Sequence, residues 1–199
     1  MNYRATALLT ASLLTLAAFA ANSPAERVAT TPRNSDAIFT TDGLLKPPVD
    51  YREWIFLASG LDMNYSDGPG MDHSMFDNVF VDPTAYRAFM QTGTWPDGTR
   101  LIKENRVAGE KGSINKHGKF QTADTMGIEV HVKDSKRFPG NWAFFMFAST
   151  RSEPATQIPA SASCYSCHQQ HGAVDTTFVQ FYPTLLGVAT EKRTLVPGK

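Results

Sequence analysis

The chain has 199 residues, of which 42% are apolar and 19% are charged, and its formal net charge is zero. This length and apolar content predict one domain with its own core, residues 49–190, between an extended leader over residues 26–48 and a tail over residues 191–199. Because no basic excess is present to neutralise phosphates, the composition excludes nucleic acid as an expected partner.

The N-terminus has the pattern of a secretory signal. Arg4 precedes an apolar run rich in Ala and Leu over residues 5–17, and Ala18-Phe19-Ala20 is a small-residue cleavage site. Since the run is short for a membrane span, we expect residues 1–25 to be cleaved rather than kept as an anchor. The mature protein would then be periplasmic or secreted.

The first half of the domain contains strand patterns and one clear helix signal. Residues 51–59 predict a strand or a short helix, and residues 76–81 predict a strand after a loop rich in Gly, Asp and Asn. Asp82 followed by Pro83 predicts a helix start, because an N-cap carboxylate accepts backbone N–H groups and proline fits the first helical position. Gly93 then ends this helix.

The second half continues with strands. Residues 99–107 predict a strand, and residues 125–133 alternate apolar and polar residues as a half-buried strand does. Residues 110–123 contain Gly and Lys and predict a loop, residues 142–148 predict an apolar strand, and residues 175–186 predict a helix that is stopped or kinked near its proline. The expected fold is α+β, a mostly antiparallel sheet with flanking helices.

Two cysteines and a histidine near the C-terminus form the most specific motif. Cys164 and Cys167 are the only cysteines, and His168 follows at once, in a segment over residues 162–170 that predicts a helix. This C-x-x-C-H spacing is the attachment signature of haem c, in which two thiols add to the vinyl groups of one porphyrin and the histidine is presented to the iron. We therefore predict haem c as the cofactor, with His168 as the iron ligand.

Other roles of the cysteine pair fit less well. A disulfide between them would close a very small loop and stabilise the fold little. A thioredoxin-type pair would follow the first strand of a βαβ unit, which is absent from the pattern. A zinc site would need two more ligands, of which His171 offers one.

The occupant of the second axial position of the iron distinguishes an electron carrier from a haem protein that binds external ligands. Six methionines could supply a sixth ligand in an electron carrier: Met63, Met71, Met75, Met90, Met126 and Met146. Small single-haem carriers have the motif early in the chain and the methionine later, whereas here no methionine follows His168. This order favours a five-coordinate iron with one open face.

The chain resembles the cytochrome P-460 family over roughly residues 45–190. The segments that carry the resemblance are, in order, Tyr51-Arg52-Glu53-Trp54, Val81-Asp82-Pro83, Gly93, Asp97-Gly98-Thr99, Lys103-Glu104, Gly127-Ile128-Glu129, residues 132–138, residues 139–144, residues 164–168 and Phe181-Tyr182-Pro183. Such a long ordered series is more specific than the haem motif alone.

The resemblance implies a role for two further residues. In that family a mostly antiparallel sheet packs against one haem face, and a lysine is cross-linked to a meso carbon of the porphyrin; by position this lysine is Lys103. The alternation of the strand allows its side chain to point inward. The family also places a carboxylate near the iron as a proton acceptor, and Glu129 matches that position.

One departure from the family concerns the strand before Val81. Some members carry an arginine there, where this chain has Asn78 between Phe76 and Phe80. We expect these three residues to line the distal face of the haem. Aromatic distal pockets are typical of the related cytochromes c′-β, which bind nitric oxide or carbon monoxide and lack the cross-link.

Three functions follow from these observations. The first is an enzyme that oxidises hydroxylamine, with nitric oxide chemistry, and passes electrons to an external acceptor such as another cytochrome. The second is a five-coordinate haem protein that binds or senses nitric oxide without turnover, and the third is an electron carrier. The partners would be a small nitrogenous substrate or gas ligand and the acceptor, and a homodimer stays open because family members are often dimers.

Overall fold

A computed structural model describes residues 38–63 and 73–199, so the predicted signal over residues 1–25 lies outside the described residues. The described chain contains a five-stranded antiparallel sheet in which strands adjacent in sequence are neighbours. The strands are β1 (Ile55–Leu61), β2 (Met75–Val81), β3 (Arg100–Gly112), β4 (Gly118–Lys133) and β5 (Trp142–Phe147). The α-helices are α1 (Pro83–Thr92), α2 (Ser163–His171) and α3 (Pro183–Lys192), and short 3-10 helices cover Tyr51–Glu53 and Val179–Phe181. The fold class is α+β, as the sequence predicts.

Helix α1 begins and ends where the sequence predicts. The Oδ1 atom of Asp82 accepts hydrogen bonds from the backbone N–H of Thr84 at 3.1 Å and of Ala85 at 3.0 Å. At the other end, Gly93 adopts φ 72° and its N–H donates to the carbonyl of Phe89 at 2.7 Å. A left-handed residue after the last turn favours glycine, which explains why the helix stops there.

The predicted loop over residues 110–123 is wrong, because most of this segment belongs to a long β3–β4 hairpin. Ala108 pairs with Gln121 and Gly109 pairs with Phe120. A Cβ atom at Gly109 would lie 2.5 Å from the ring of Phe120, so the ring occupies the space that the missing side chain leaves. Gly109 is therefore a strand residue covered by the Phe120 ring, and the Gly and Lys content of the segment does not reveal this packing.

The predicted helix over residues 175–186 is also wrong, since proline starts a helix here rather than ending one. The segment contains the 3-10 helix Val179–Phe181, and Pro183 is the first residue of α3. Proline lacks the N–H that a first-turn residue leaves unpaired in any case.

Two cores lie on the two faces of the sheet. On one face, Val81 and Leu101 pack with Phe89 of α1 and Leu185 of α3. On the other face, a larger set from the strands packs with residues that precede β1: Phe39, Leu45, Tyr51, Ile102, Val130 and Phe145. The three tryptophans, Trp54, Trp95 and Trp142, are all buried. Among the described residues, no helix has both the length and the apolar character that crossing a membrane requires.

Candidate functional site

A cavity of about 460 Å³ lies between the sheet and helix α2. Its walls come from β1 to β5, from α2 and from residues 177–182. A cavity of this size is in the range of small-molecule and cofactor sites. All the residues of the C-x-x-C-H motif that carry reactive atoms, Cys164, Cys167 and His168, line it.

Both thiols of the motif are free and reach the cavity wall. Cys164 and Cys167 lie three residues apart on α2, so they occupy the same side of the helix. Burial raises the pKa of the Cys164 thiol. Two partly buried thiols on one helix face match the need to bond two positions on one edge of a single porphyrin.

A hydrogen bond to the backbone orients His168 and selects its tautomer. Its Nδ1 atom lies 2.8 Å from the carbonyl oxygen of Thr176, which can only accept, so Nδ1 carries a proton and the lone pair of the neutral imidazole is on Nε2. Burial lowers the pKa of His168, which favours the same neutral state. Metal-binding histidines commonly donate their second N–H in this way.

Aromatic side chains surround the His168 ring. Phe178 lies 4.3 Å and Phe144 4.7 Å from it between ring centroids. The turn that carries Thr176 is held by Thr177, whose hydroxyl accepts from the Trp95 indole at 2.8 Å. The orientation of the His168 ring therefore depends on a buried hydrogen bond outside the motif.

His131 is a second histidine in the cavity wall, which the sequence analysis did not assign to the site. Its ring stacks on Phe144 at 3.9 Å with an interplanar angle of 11°, and lies 5.0 Å from the His168 ring. Burial lowers the pKa of His131 well below its usual value, and its Nε2 atom has no hydrogen-bond partner among the described residues. Because residues two apart on a strand share a face, the position of His131 two residues after Glu129 could have indicated that it faces the same cavity.

Lys103 and Glu129 meet in the cavity. They are direct cross-strand partners on β3 and β4, and the Lys103 Nζ atom lies 3.0 Å from Glu129 Oε1. Asn105 donates to the same oxygen at 2.8 Å. The two charged side chains are 33% and 34% exposed, so the pair lies between the cavity and solvent.

Asp77 is a further carboxylate in the cavity wall that the sequence analysis missed. Its side chain is 9% exposed, and its Oδ1 atom lies 3.8 Å from Lys103 Nζ with no hydrogen-bond partner in the described part of the chain. Burial raises the pKa of Asp77, whereas the charge of Lys103 opposes that shift.

The structure corrects the predicted distal residues. Phe76, Asn78 and Phe80 alternate with Asp77 and Val79 along β2, and only the latter two line the cavity. On the opposite face, the Asn78 amide donates to Gln121 at 2.7 Å. There the Phe80 ring packs edge-on against Tyr51 at 5.5 Å. Phe80 packs against the second core rather than into a haem pocket.

The methionines differ in their access to the cavity. Met63 lines it, whereas Met90, Met126 and Met146 are 40%, 52% and 57% exposed. Met71 lies outside the described residues. Of the candidate sixth ligands with a described position, Met63 is the one in the cavity wall.

The donor set of the cavity fits haem c. Two free thiols and a neutral imidazole with an available lone pair share one largely apolar cavity. The described residues contain no group of three His, Cys, Asp or Glu side chains arranged to hold a bare metal ion.

The family model described as Cytochrome P460 matches residues 48–179, more than half of the chain, and this span includes the sheet, α1, α2 and the C-x-x-C-H motif. No curated protein matches the chain.

Proposed function

The chain belongs to the cytochrome P-460 family and is a haem c cytochrome, and from this premise we propose that it oxidises hydroxylamine. The observation that carries the proposal is the pair formed by Lys103 and Glu129, whose side chains meet at 3.0 Å in the cavity that Cys164, Cys167 and His168 also line. These are the two residues to which the family resemblance assigns the cross-link and the proton acceptor.

The chain's residues would divide the work of holding and using the cofactor. Cys164 and Cys167 would form the two thioether bonds, and His168 would bind the iron through Nε2 while Thr176 holds its Nδ1–H. Haem c, when bound, supplies an iron that can bind a small nitrogenous ligand and accept its electrons. If joined to the porphyrin edge, the Lys103 nitrogen would shift the electronics of the porphyrin.

Glu129 is suited to accept protons from the substrate. Oxidation of hydroxylamine removes protons as well as electrons, so a base within the cavity is required. The carboxylate is held by Asn105 and Lys103, and its partial exposure gives the proton a route to solvent. Electrons would pass to an external acceptor such as another cytochrome, in the periplasm or outside the cell, and the protein would act alone or as a homodimer.

The same ion pair supports a second candidate, a haem protein that binds nitric oxide without turnover. A Lys103 side chain that stays in its ion pair with Glu129 would not be cross-linked to the porphyrin. The residues Phe76, Asn78 and Phe80 give this candidate no support, because they face away from the cavity.

One experiment separates the candidates. Protein matured with its haem is examined by ferrous absorption, by mass analysis of the Lys103 peptide and by steady-state hydroxylamine oxidation with a soluble electron acceptor. We expect a strongly red-shifted Soret band, a peptide joined to haem, and turnover. An ordinary high-spin spectrum with a free peptide, tight nitric oxide binding and no turnover would contradict the proposal and select the binder. A six-coordinate low-spin spectrum at rest would instead indicate an electron carrier, with Met63 as its ligand.

A further inference from the structure

The charges that line the haem cavity do not balance. Its described lining contains one lysine, Lys103, and two carboxylates, Asp77 and Glu129. The described lining therefore has one carboxylate more than it has lysine and arginine side chains.

Asp77 is the carboxylate that Lys103 pairs with less closely. Lys103 lies closer to Glu129, at 3.0 Å, than to Asp77, at 3.8 Å, and Glu129 also accepts from Asn105. No group in the described chain donates a hydrogen bond to Asp77 Oδ1, and the Asp77 side chain is only 9% exposed. A carboxylate with an unused oxygen in a cavity wall both repels anions and can accept a hydrogen bond from a ligand.

We propose that Asp77 determines ligand selectivity in this cavity, admitting small neutral or proton-donating molecules such as hydroxylamine and rejecting small anions. The inference rests on the proposed function and specifies the substrate class of the same site. Hydroxylamine has N–H and O–H groups from which Asp77 Oδ1 can accept hydrogen bonds, whereas azide and nitrite bring a negative charge towards it.

Cross-linking of Lys103 would strengthen this selectivity. A lysine nitrogen bonded to the porphyrin edge no longer serves as a freely positioned ammonium beside Glu129 and Asp77. The two carboxylates would then face the cavity with less compensation, and the repulsion of anions would increase.

The test measures anion binding rather than turnover. Azide is titrated against the ferric haem-containing protein by absorption, and carbon monoxide, which is neutral, is titrated against the ferrous protein. We expect Asp77→Asn to bind azide roughly tenfold more tightly than the unmodified protein, since one charge is lost near the ligand in a partly screened cavity. Carbon monoxide affinity should stay within about twofold, because no charge acts on it.

Two further variants make the result decisive. Asp124→Asn is the matched control, because Asp124 is exposed on β4 outside the cavity lining, and it should change neither affinity. Asp77→Ser removes the carboxylate without adding bulk and serves if the asparagine variant does not mature. An azide affinity that stays within twofold of the unmodified protein in the neutral Asp77 variants would overturn the inference.

The outcome is separable from the proposed activity. Azide binding requires the haem but not hydroxylamine turnover. If loss of Asp77 increases azide affinity but the protein does not oxidise hydroxylamine, the selectivity inference stands and the proposed activity fails. If the protein oxidises hydroxylamine but the Asp77 variants bind azide no more tightly, the proposed activity stands and the selectivity inference fails.

Discussion

Replacing Glu104 by Gln should destabilise the fold by removing a buried charge that several groups share. Glu104 is fully buried on the face of the sheet opposite the cavity, and Tyr51 donates its hydroxyl to Oε1 at 2.7 Å. The carboxylate is paired with Arg52 and Arg106, and Asn78 donates to Oε2 at 3.2 Å. The substitution keeps the shape of the side chain but leaves both guanidinium groups without their anion.

The pKa of Glu104 gives the magnitude. Burial alone would raise this pKa, but the hydrogen bonds from Arg106, Tyr51 and Asn78 and the charge of Arg52 outweigh it and lower the value from 4.5 to about 2. Because Gln mimics the protonated side chain, the shift converts to about 3 kcal/mol of stability at neutral pH. The cost of breaking a buried ion pair, roughly 3–5 kcal/mol, agrees with this, and Arg106 should dominate because Arg52 is 55% exposed.

Chemical denaturation of the haem-containing protein over a pH series checks this value. A pKa that is lowered in the folded state contributes stability above 4.5, and that contribution is lost as pH falls towards 2. The free energies of unfolding of the variant and the unmodified protein should therefore differ by about 3 kcal/mol at pH 7, and this difference should decrease below pH 4.5. Glu110→Gln is the control, since Glu110 is 65% exposed in its pair with Lys119 and should cost less than about 1 kcal/mol. A loss below about 1 kcal/mol for Glu104→Gln, or a loss independent of pH, would refute the reasoning.

Two further substitutions test the cavity. Glu129→Gln should retain hydroxylamine binding but lower turnover about 100-fold, because a general base is lost, and unchanged steady-state rates would remove that role. Thr177→Val should lower the free energy of unfolding by about 1–3 kcal/mol, since it leaves the buried Trp95 N–H without its acceptor and removes one of the two hydrogen bonds to the Val174 carbonyl. Denaturant titration checks this second value against Thr190→Val, whose hydroxyl is exposed on α3; equal losses in the two variants would contradict the argument.

The parts of the site that the sequence predicts are those encoded locally. The spacing of Cys164, Cys167 and His168 specifies the cofactor because the chemistry itself requires that spacing. The bounds of α1 follow from Asp82 and Gly93, whose effects reach only one turn of helix. These features need no knowledge of which strands pair.

Asp77 was missed because the sequence does not reveal the phase of β2. In the run Phe76-Asp77-Asn78-Val79-Phe80, apolar and polar residues occur on both alternating faces. Both faces of the sheet carry a core, so the apolar pattern does not indicate which side faces the haem cavity. Only the pairing of Val79 with Lys103 assigns Asp77 to the cavity, and that register is a long-range property.

Residues Lys103 and Glu104 show how the two faces depend on each other. They are adjacent on β3, so a shift of one residue in strand register would turn Lys103 out of the cavity and Glu104 into it. The β3–β4 hairpin cannot hold this register by its turn alone, because the pairing shifts just beyond Asn105. The contacts of Glu104 with Tyr51 and Arg52, from a segment before β1, lie on the regularly paired side of that irregularity. The buried charge network on the far face therefore holds β3 in the register that places Lys103 beside Glu129.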